Sequence, residues 1–148
     1  MVTIRITTKI HAPIGEVWAV VEDVGDHVNW MKDAEQIRFI GSQRSGVGTR
    51  FDCDTKVGPI RLTDRMEIVE WVAGELIGVS HEGLVKGEGK FTLTSDTSDS
   101  TLFTWEETLY FPFWMGGPLR NLVGGRVLSS IWRKNLELLK AKIEKSVH

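Results

Sequence analysis

The chain has 148 residues, of which 41% are hydrophobic and 26% are charged, and its formal net charge is −2. This length predicts a single domain over residues 1–148, and the weakly acidic balance excludes the broad basic field that recruits nucleic acid. Cys53 is the single cysteine of the sequence, which excludes an intrachain disulfide and a thiolate metal cluster.

The first predicted element is a strand, because residues 2–10 alternate between apolar and polar side chains. Ala12 and Pro13 interrupt this alternation, and the valines of PIGEVWAVVEDV then recur at helical spacing. We expect Gly25 to end this first helix and the segment DHVNWM to form a second, short helical piece.

Six more strands are predicted from residue 36 onward, because the period of the sequence returns to two. The breaks between them, such as SQRSG and SDTSDS, are short and polar or contain glycine, which favours antiparallel hairpins in a meander. The predicted strands lie near 36–41, 48–57, 60–71, 75–82, 86–95 and 101–112.

The last predicted element is a long amphipathic helix over about 118–146. The segment FPFW should close the last strand, and the two glycines at 116–117 should make the turn into the helix. The glycines at 124–125 leave space on the helix, which favours a position at the rim of a pocket or, alternatively, close packing of the helix on the sheet. Seven antiparallel strands with one apolar face must cover that face, and this helix is long enough to do so. The sequence thus predicts an α+β domain with a curved sheet wrapped around the helix and a ligand cavity between them.

No stretch of the sequence is suited to targeting the chain to a membrane or crossing one. The N-terminal VTIRITTKI alternates and so lacks the apolar run of a signal peptide. The longest charge-free apolar run, LYFPFWMGGPL, is far shorter than the roughly 20 residues that span a bilayer. We therefore expect a cytoplasmic protein with no membrane span.

Several segments resemble the SRPBCC superfamily. PIGEVWAVVEDVGDHVNWM is similar to its opening, where a helix that ends in an acidic residue precedes a short helix with tryptophan, and GVGTRF, TLFTWEETLYFPF and GGPLRNLV also look like that group. In style the chain resembles small bacterial proteins of the polyketide cyclase/dehydrase or lipid-transport type, which share the helix-grip fold of the birch-pollen allergen and START domains. The resemblance spans essentially the whole chain and implies two short helices after the first strand, but its motifs specify a shape better than a chemistry.

Three ionisable side chains fall on the apolar face of the predicted strands: Asp64, His81 and Glu107. A carboxyl group in apolar surroundings resists ionisation and a nearby imidazole could share its proton, which would allow general acid–base catalysis on a bound carbonyl compound. The alternative is structural. Each carboxylate could bond a tryptophan N–H or a backbone group, and His81, at a strand end, could lie exposed at the rim.

The same alternation, together with the apolar positions of the long helix, predicts a set of ligand contacts. Trp105 is the aromatic residue best placed to stack on a ligand, whereas Trp18 and Trp30 match packing positions of the resembled superfamily. The four histidines are scattered and neither HxxxH nor HExxH occurs, so we expect no metal site and no cofactor. The expected ligand-binding residues are Phe51, Leu62, Met66, Val79, Phe91, Trp105, Glu107, Phe111, Val127 and Ile131.

The function expected from these features is a binding module that holds a small hydrophobic molecule, such as a lipid, a polyketide-like aromatic or an isoprenoid. Asp64, His81 or Glu107 would fix its orientation. One alternative is a polyketide cyclase or dehydratase, which needs two of these ionisable groups near one ligand carbonyl. The resemblance also implies a protein-interaction domain of the co-chaperone or ribosome-associated type, whose sign would be a collapsed cavity with an exposed apolar patch. The sequence names no protein partner.

Overall fold

The computed structural model describes residues 1–112 and 125–147. In its strands, side chains alternate between the inner and the outer face of a sheet. The strands are β1 (Val2–Ile10), β2 (Ala34–Ile40), β3 (Arg50–Val57), β4 (Ile60–Val72), β5 (Leu76–Glu82), β6 (Lys86–Thr97) and β7 (Ser100–Tyr110). Two helical elements follow β1, namely α1 (Ile14–Val21) and a 3₁₀ helix (Val24–Asn29), and the last described element is α2 (Gly125–Val147).

The strands form one antiparallel sheet of seven strands in the order β1-β7-β6-β5-β4-β3-β2. The strands from β2 to β7 are sequential neighbours, as a meander requires, and β1 pairs with β7 along its whole length. The register shifts between residues 34 and 36, 68 and 70, and 95 and 97. Because bulges bend and twist a strand pair, they help the sheet to curve around α2.

α2 presents one apolar side to the concave face of the sheet. Its buried apolar side chains are Leu128, Trp132, Leu136, Leu139 and Ile143, which recur at spacings of four and three residues. They join one core with the inward residues of the strands, and α2 also contacts β1 and α1. Removing this apolar area from water, at roughly 25 cal/mol per Å², is the main force that holds the helix against the sheet.

A polar clamp fixes how α2 is rotated about its own axis. Asp33, just before β2, accepts hydrogen bonds from Trp132 Nε1 (3.1 Å) and from Asn135 Nδ2 (2.7 Å). Asn135 Oδ1 in turn accepts the backbone N–H of Lys32 (2.9 Å), and the Asn135 side chain is fully buried. A buried amide satisfied on both ends tolerates no rotation of the helix, because any shift would leave polar groups without partners.

The fold predicted from the sequence is confirmed as a helix-grip α+β domain, and every strand boundary agrees with the prediction to within two residues. The expected end of the first helix at Gly25 is wrong, because α1 stops at Val21 and the 3₁₀ helix begins at Val24. The side chain of His27 lies there, with its Nε2 2.8 Å from the carbonyl oxygen of Val21. This contact satisfies a carbonyl that a longer helix would have used.

The predicted start of the long helix near residue 118 and the turn at 116–117 lie outside the described residues. Among the helices described within 1–112 and 125–147, none combines the length and the apolar character needed to cross a membrane.

Replacing Asn135 with alanine tests the clamp. The change leaves the Lys32 N–H and one Asp33 carboxylate oxygen without their partners, and we expect it to lower the free energy of unfolding by about 2 to 3 kcal/mol. Urea unfolding followed by tryptophan fluorescence measures this loss. The control is Glu137→Ala on the exposed side of the same helix, and a loss no larger than that of the control would contradict the clamp.

Candidate functional site

The three ionisable residues of the apolar face meet in one hydrogen-bonded group. His81 on β5 has Nδ1 2.7 Å from Asp64 Oδ2 on β4, and its Nε2 lies 2.7 Å from Glu107 Oε2 on β7. The side chains of His81 and Glu107 are 6% and 9% exposed, and that of Asp64 is 20% exposed. The imidazole therefore bridges two carboxyl groups within the apolar interior. We call this group the Asp64–His81–Glu107 trio.

A glycine on β6 allows the bridge to form. The sheet places β6 between β5 and β7, with Val79 opposite Gly89 and Gly89 opposite Glu107. A Cβ atom at Gly89 would lie 2.3 Å from the carboxyl carbon of Glu107. Glu107 thus uses the space that a side chain would fill, which lets it reach across one whole strand to His81.

The protonation of His81 is decided by two opposing effects. Burial disfavours the charged imidazolium, but the negative charges of Glu107 and Asp64 and the hydrogen bonds to them outweigh it. Together they raise the pKa of His81 to about 10. At neutral pH both ring nitrogens therefore carry a proton, and each donates it to a carboxylate.

A tryptophan pair supports the trio from the helix side. Trp105 Nε1 donates a hydrogen bond to Glu107 Oε1 (3.2 Å), so both oxygens of that carboxylate are engaged. The ring of Trp105 stacks on that of Trp132, with 4.6 Å between centroids and 15° between planes. Because Trp132 Nε1 also donates to Asp33, the clamp on α2 is continuous with the trio.

The trio lies in the wall of a cavity of about 150 Å³ between the sheet and α2. Most of its other described walls are apolar and come from β3 to β7, the 3₁₀ helix and α2. Leu84, in the turn between β5 and β6, also lines it and is 42% exposed, so this side of the cavity reaches the surface. The arrangement pairs apolar burial with one strongly polar point, as small-molecule sites do.

The sequence matches a known family over residues 1–144, that of polyketide cyclase/dehydrase and lipid transport proteins. The chain belongs to this family. No curated protein matches the sequence.

Several solved structures have the same fold as this chain. A protein from Thermus thermophilus is 19% identical, with a TM-score of 0.76 over 99% of both chains. The Zhui aromatase/cyclase from a Streptomyces species is 16% identical, with a TM-score of 0.73 over 99% of this chain and 95% of that one. A START superfamily protein from Mycobacterium smegmatis is 13% identical, with a TM-score of 0.77 over 97% of each chain. These likenesses confirm the fold, and the family match confirms the resemblance to proteins of the polyketide cyclase/dehydrase and lipid-transport type.

Most of the predicted ligand-binding residues line the cavity, although their role as ligand contacts stays a prediction. Val127 and Ile131 are not among the lining residues, whereas Leu128 and Trp132, one position further along α2, are. The hydrogen bonds of Trp132 and Asn135 to Asp33 turn the face with Leu128 and Trp132 toward the cavity. Hydrophobic spacing could not have distinguished this face from the one with Val127 and Ile131. The predicted residues that line the cavity are Phe51, Leu62, Met66, Val79, Phe91, Trp105, Glu107 and Phe111.

Two lining residues that the sequence did not single out for the site are His27 and Cys53. Burial lowers the pKa of His27, whose ring packs between Trp30 and Phe91. Burial also raises the pKa of the Cys53 thiol to about 12, so it remains protonated and acts as a small apolar wall residue. Neither of these pKa shifts can be predicted from the sequence, because the burial that causes them depends on packing across several elements.

Within residues 1–112 and 125–147, no group of histidine, cysteine, aspartate or glutamate side chains has an arrangement that could hold a metal ion. In the trio itself, both nitrogens of His81 are already engaged by carboxylates. An imidazole between two carboxyl groups can hold and move protons.

Replacing Gly89 with alanine tests the bridge. The new methyl group would displace the Glu107 carboxyl group and remove its share of the rise in the His81 pKa. Protonated His81 stabilises the fold fully below its unfolded pKa of about 6.5, and this contribution disappears as pH rises through the folded pKa. In the variant, the pH at which His81 titrates, followed by NMR, should be lower than in the unaltered protein. The pH at which its contribution to stability is lost should fall with it.

The matched control is Gly78→Ala on β5, where the new methyl group meets the flexible Glu70 side chain on the exposed outer face of the sheet. This change should leave the His81 titration where it is. An unaltered His81 titration in Gly89→Ala would contradict the bridge through Gly89.

Proposed function

We propose that this domain binds a small, mainly apolar molecule in the cavity between the sheet and α2. The single observation that carries the proposal is a cavity with mostly apolar walls that contain the hydrogen-bonded trio. Apolar walls contribute binding free energy through burial, and one polar point fixes the direction in which a ligand lies. Phe91, Trp105 and Trp132 are the aromatic contacts we propose for the ligand, next to the aliphatic side chains of β4 and β5.

The size of the cavity narrows the choice of ligand. A cavity of about 150 Å³ has the volume of an engineered protein cavity that stays dry and binds benzene. We therefore propose a ligand built on one ring with a short substituent, which extends toward the open side at Leu84. This size favours a single-ring aromatic over a long-chain lipid among the ligand classes that the sequence suggested.

The family and the fold are compatible with this proposal. The family description includes polyketide cyclases, dehydrases and lipid transport proteins, and one protein of the same fold is an aromatase/cyclase. The protein-interaction alternative required a collapsed cavity, whereas the cavity here is open and lined by aromatic side chains. Binding of a small molecule is thus the better supported function.

Fluorobenzene, a neutral ring of the proposed size, tests this function by fluorine NMR. We expect its resonance to broaden and shift in the presence of the protein, because apolar transfer into the cavity is favourable. Val79 lines the cavity, so Val79→Trp should fill it and abolish the effect. Val69→Trp, on the exposed outer face of β4 (44% exposed), is the control and should preserve it. Equal binding to both variants, or no binding to the unaltered protein, would refute the proposal.

A second candidate function, dehydration of a β-hydroxy carbonyl compound, is favoured by the convergence of the trio on the cavity. The Asp64 carboxylate would take the proton from the carbon next to the carbonyl, while protonated His81 gives its Nδ1 proton, released from the hydrogen bond to Asp64 Oδ2, to the departing hydroxyl. The C–O bond breaks, the C=C bond forms and water leaves. The proton on Asp64 then passes to His81 along their 2.7 Å hydrogen bond, which restores the trio.

A β-hydroxy ketone bearing one phenyl ring tests this second function, since its dehydration to the conjugated enone is visible in the ultraviolet. We expect the protein to accelerate enone formation, and His81→Gln to reduce that acceleration by about 100-fold. Glu106→Gln, one residue from Glu107 but paired with Arg5 on the exposed face, is the control and should keep the full rate. Enone formation at the buffer rate would leave binding as the sole function proposed.

A further inference from the structure

We infer that the cavity is built for a cationic ligand, an aromatic molecule that carries a protonated amine. The inference rests on the proposed function and adds the charge of the molecule that the cavity accepts. It follows from counting the protons and charges of the trio and from the positions of the neighbouring cations.

With one proton in each of its two hydrogen bonds, the trio carries a net charge of −1 whichever atoms hold those two protons. Its two short hydrogen bonds, at 2.7 Å each, hold one proton apiece. If both protons lie on His81, one imidazolium faces two carboxylates. If one proton lies on a carboxyl group instead, a neutral imidazole and a neutral acid accompany one carboxylate. Both arrangements sum to −1, so the excess negative charge does not depend on the end of each hydrogen bond at which the proton lies.

The described residues of the cavity wall do not neutralise this charge. Lys90 is the lysine among them, but it is exposed and alternates with the inward Phe91, so its ammonium lies on the outer face of the sheet. His27 is kept neutral by burial. Asp33 adds a further carboxylate to the wall, and its partners there, Trp132 and Asn135, are uncharged donors.

The trio also has unused capacity to accept hydrogen bonds. Asp64 Oδ1 is buried and has no hydrogen-bond partner among the described residues. An uncompensated carboxylate in an apolar setting is costly, and a ligand ammonium next to Asp64 would offset that cost. Asp64 is also the most exposed side chain of the trio, and it lines the cavity.

Aromatic walls complete the match to an ammonium group. Trp105, bound to Glu107, stacks on Trp132, and Phe91 lies 5.3 Å from Trp105 between ring centroids. The faces of such rings attract cations, and aromatic cages are a common way in which proteins bind alkylated ammonium groups. An anionic molecule such as a carboxylate would face the negative trio, because the His81 imidazolium is already held by two carboxylates and the Lys90 ammonium lies on the outer face.

Three probes of nearly equal size test this inference: phenethylamine, phenethyl alcohol and phenylacetate, which are cationic, neutral and anionic at neutral pH. Binding is measured by calorimetry or by displacement of fluorobenzene. We expect phenethylamine to bind at least about tenfold more tightly than phenethyl alcohol, and phenylacetate to bind most weakly. A preference for the alcohol or the acid would overturn the charge assignment while leaving the cavity function intact. Failure of all three probes and of fluorobenzene to bind would overturn both.

The double variant Asp64→Asn/Glu107→Gln isolates the trio as the cause. Both amides can keep a hydrogen bond to a neutral His81, so the net charge falls to zero while the shape is retained. The preference for phenethylamine should then disappear, whereas binding of phenethyl alcohol persists and reports an intact cavity. Glu88→Gln/Glu106→Gln removes two negative charges from the outer face of β6 and β7, where Glu88 is exposed and Glu106 half-buried, and should keep the preference. An unchanged preference in the first variant, or a lost one in the second, would overturn the inference.

Discussion

The placement of a protonated imidazole between two carboxyl groups, inside an otherwise apolar wall, is the constraint on which the site depends. His81, Asp64 and Glu107 come from three strands, so their 2.7 Å contacts require that the register from β4 to β7 be maintained. A slip of one residue in any of these strands would turn a member of the trio to the outer face. The sheet therefore fixes the chemistry of the site as well as its shape.

The helix is tied to the same group. Asp33 holds Trp132 and Asn135 of α2, Trp132 stacks on Trp105, and Trp105 donates to Glu107. This chain of contacts runs from the start of β2, through the cavity wall, to the buried bridge. A ligand next to Trp105 would contact the polar group and the helix together, which explains how one cavity can combine apolar burial with a fixed orientation.

Alternation along the strands was enough to predict that Asp64, His81 and Glu107 share the cavity face, because period-two patterns and strand order are local properties. It could not establish that they bond, since the bridge across β6 depends on Gly89 leaving space for Glu107. The face of α2 was predicted one position away, at Val127 and Ile131. Leu128 and Trp132 are instead on the cavity because the buried amide of Asn135 is bonded to Lys32 and Asp33, far from the helix in sequence, and these bonds set its rotation. Polar contacts between residues far apart in the sequence leave no periodic pattern from which they could be predicted.

The most direct test of the account is native mass spectrometry of the protein purified from its own host, followed by extraction and identification of any small molecule retained. The account predicts a bound compound of about one aromatic ring that carries a basic nitrogen. A long-chain fatty acid in the cavity, or a protein that captures nothing from host metabolite extracts, would contradict it.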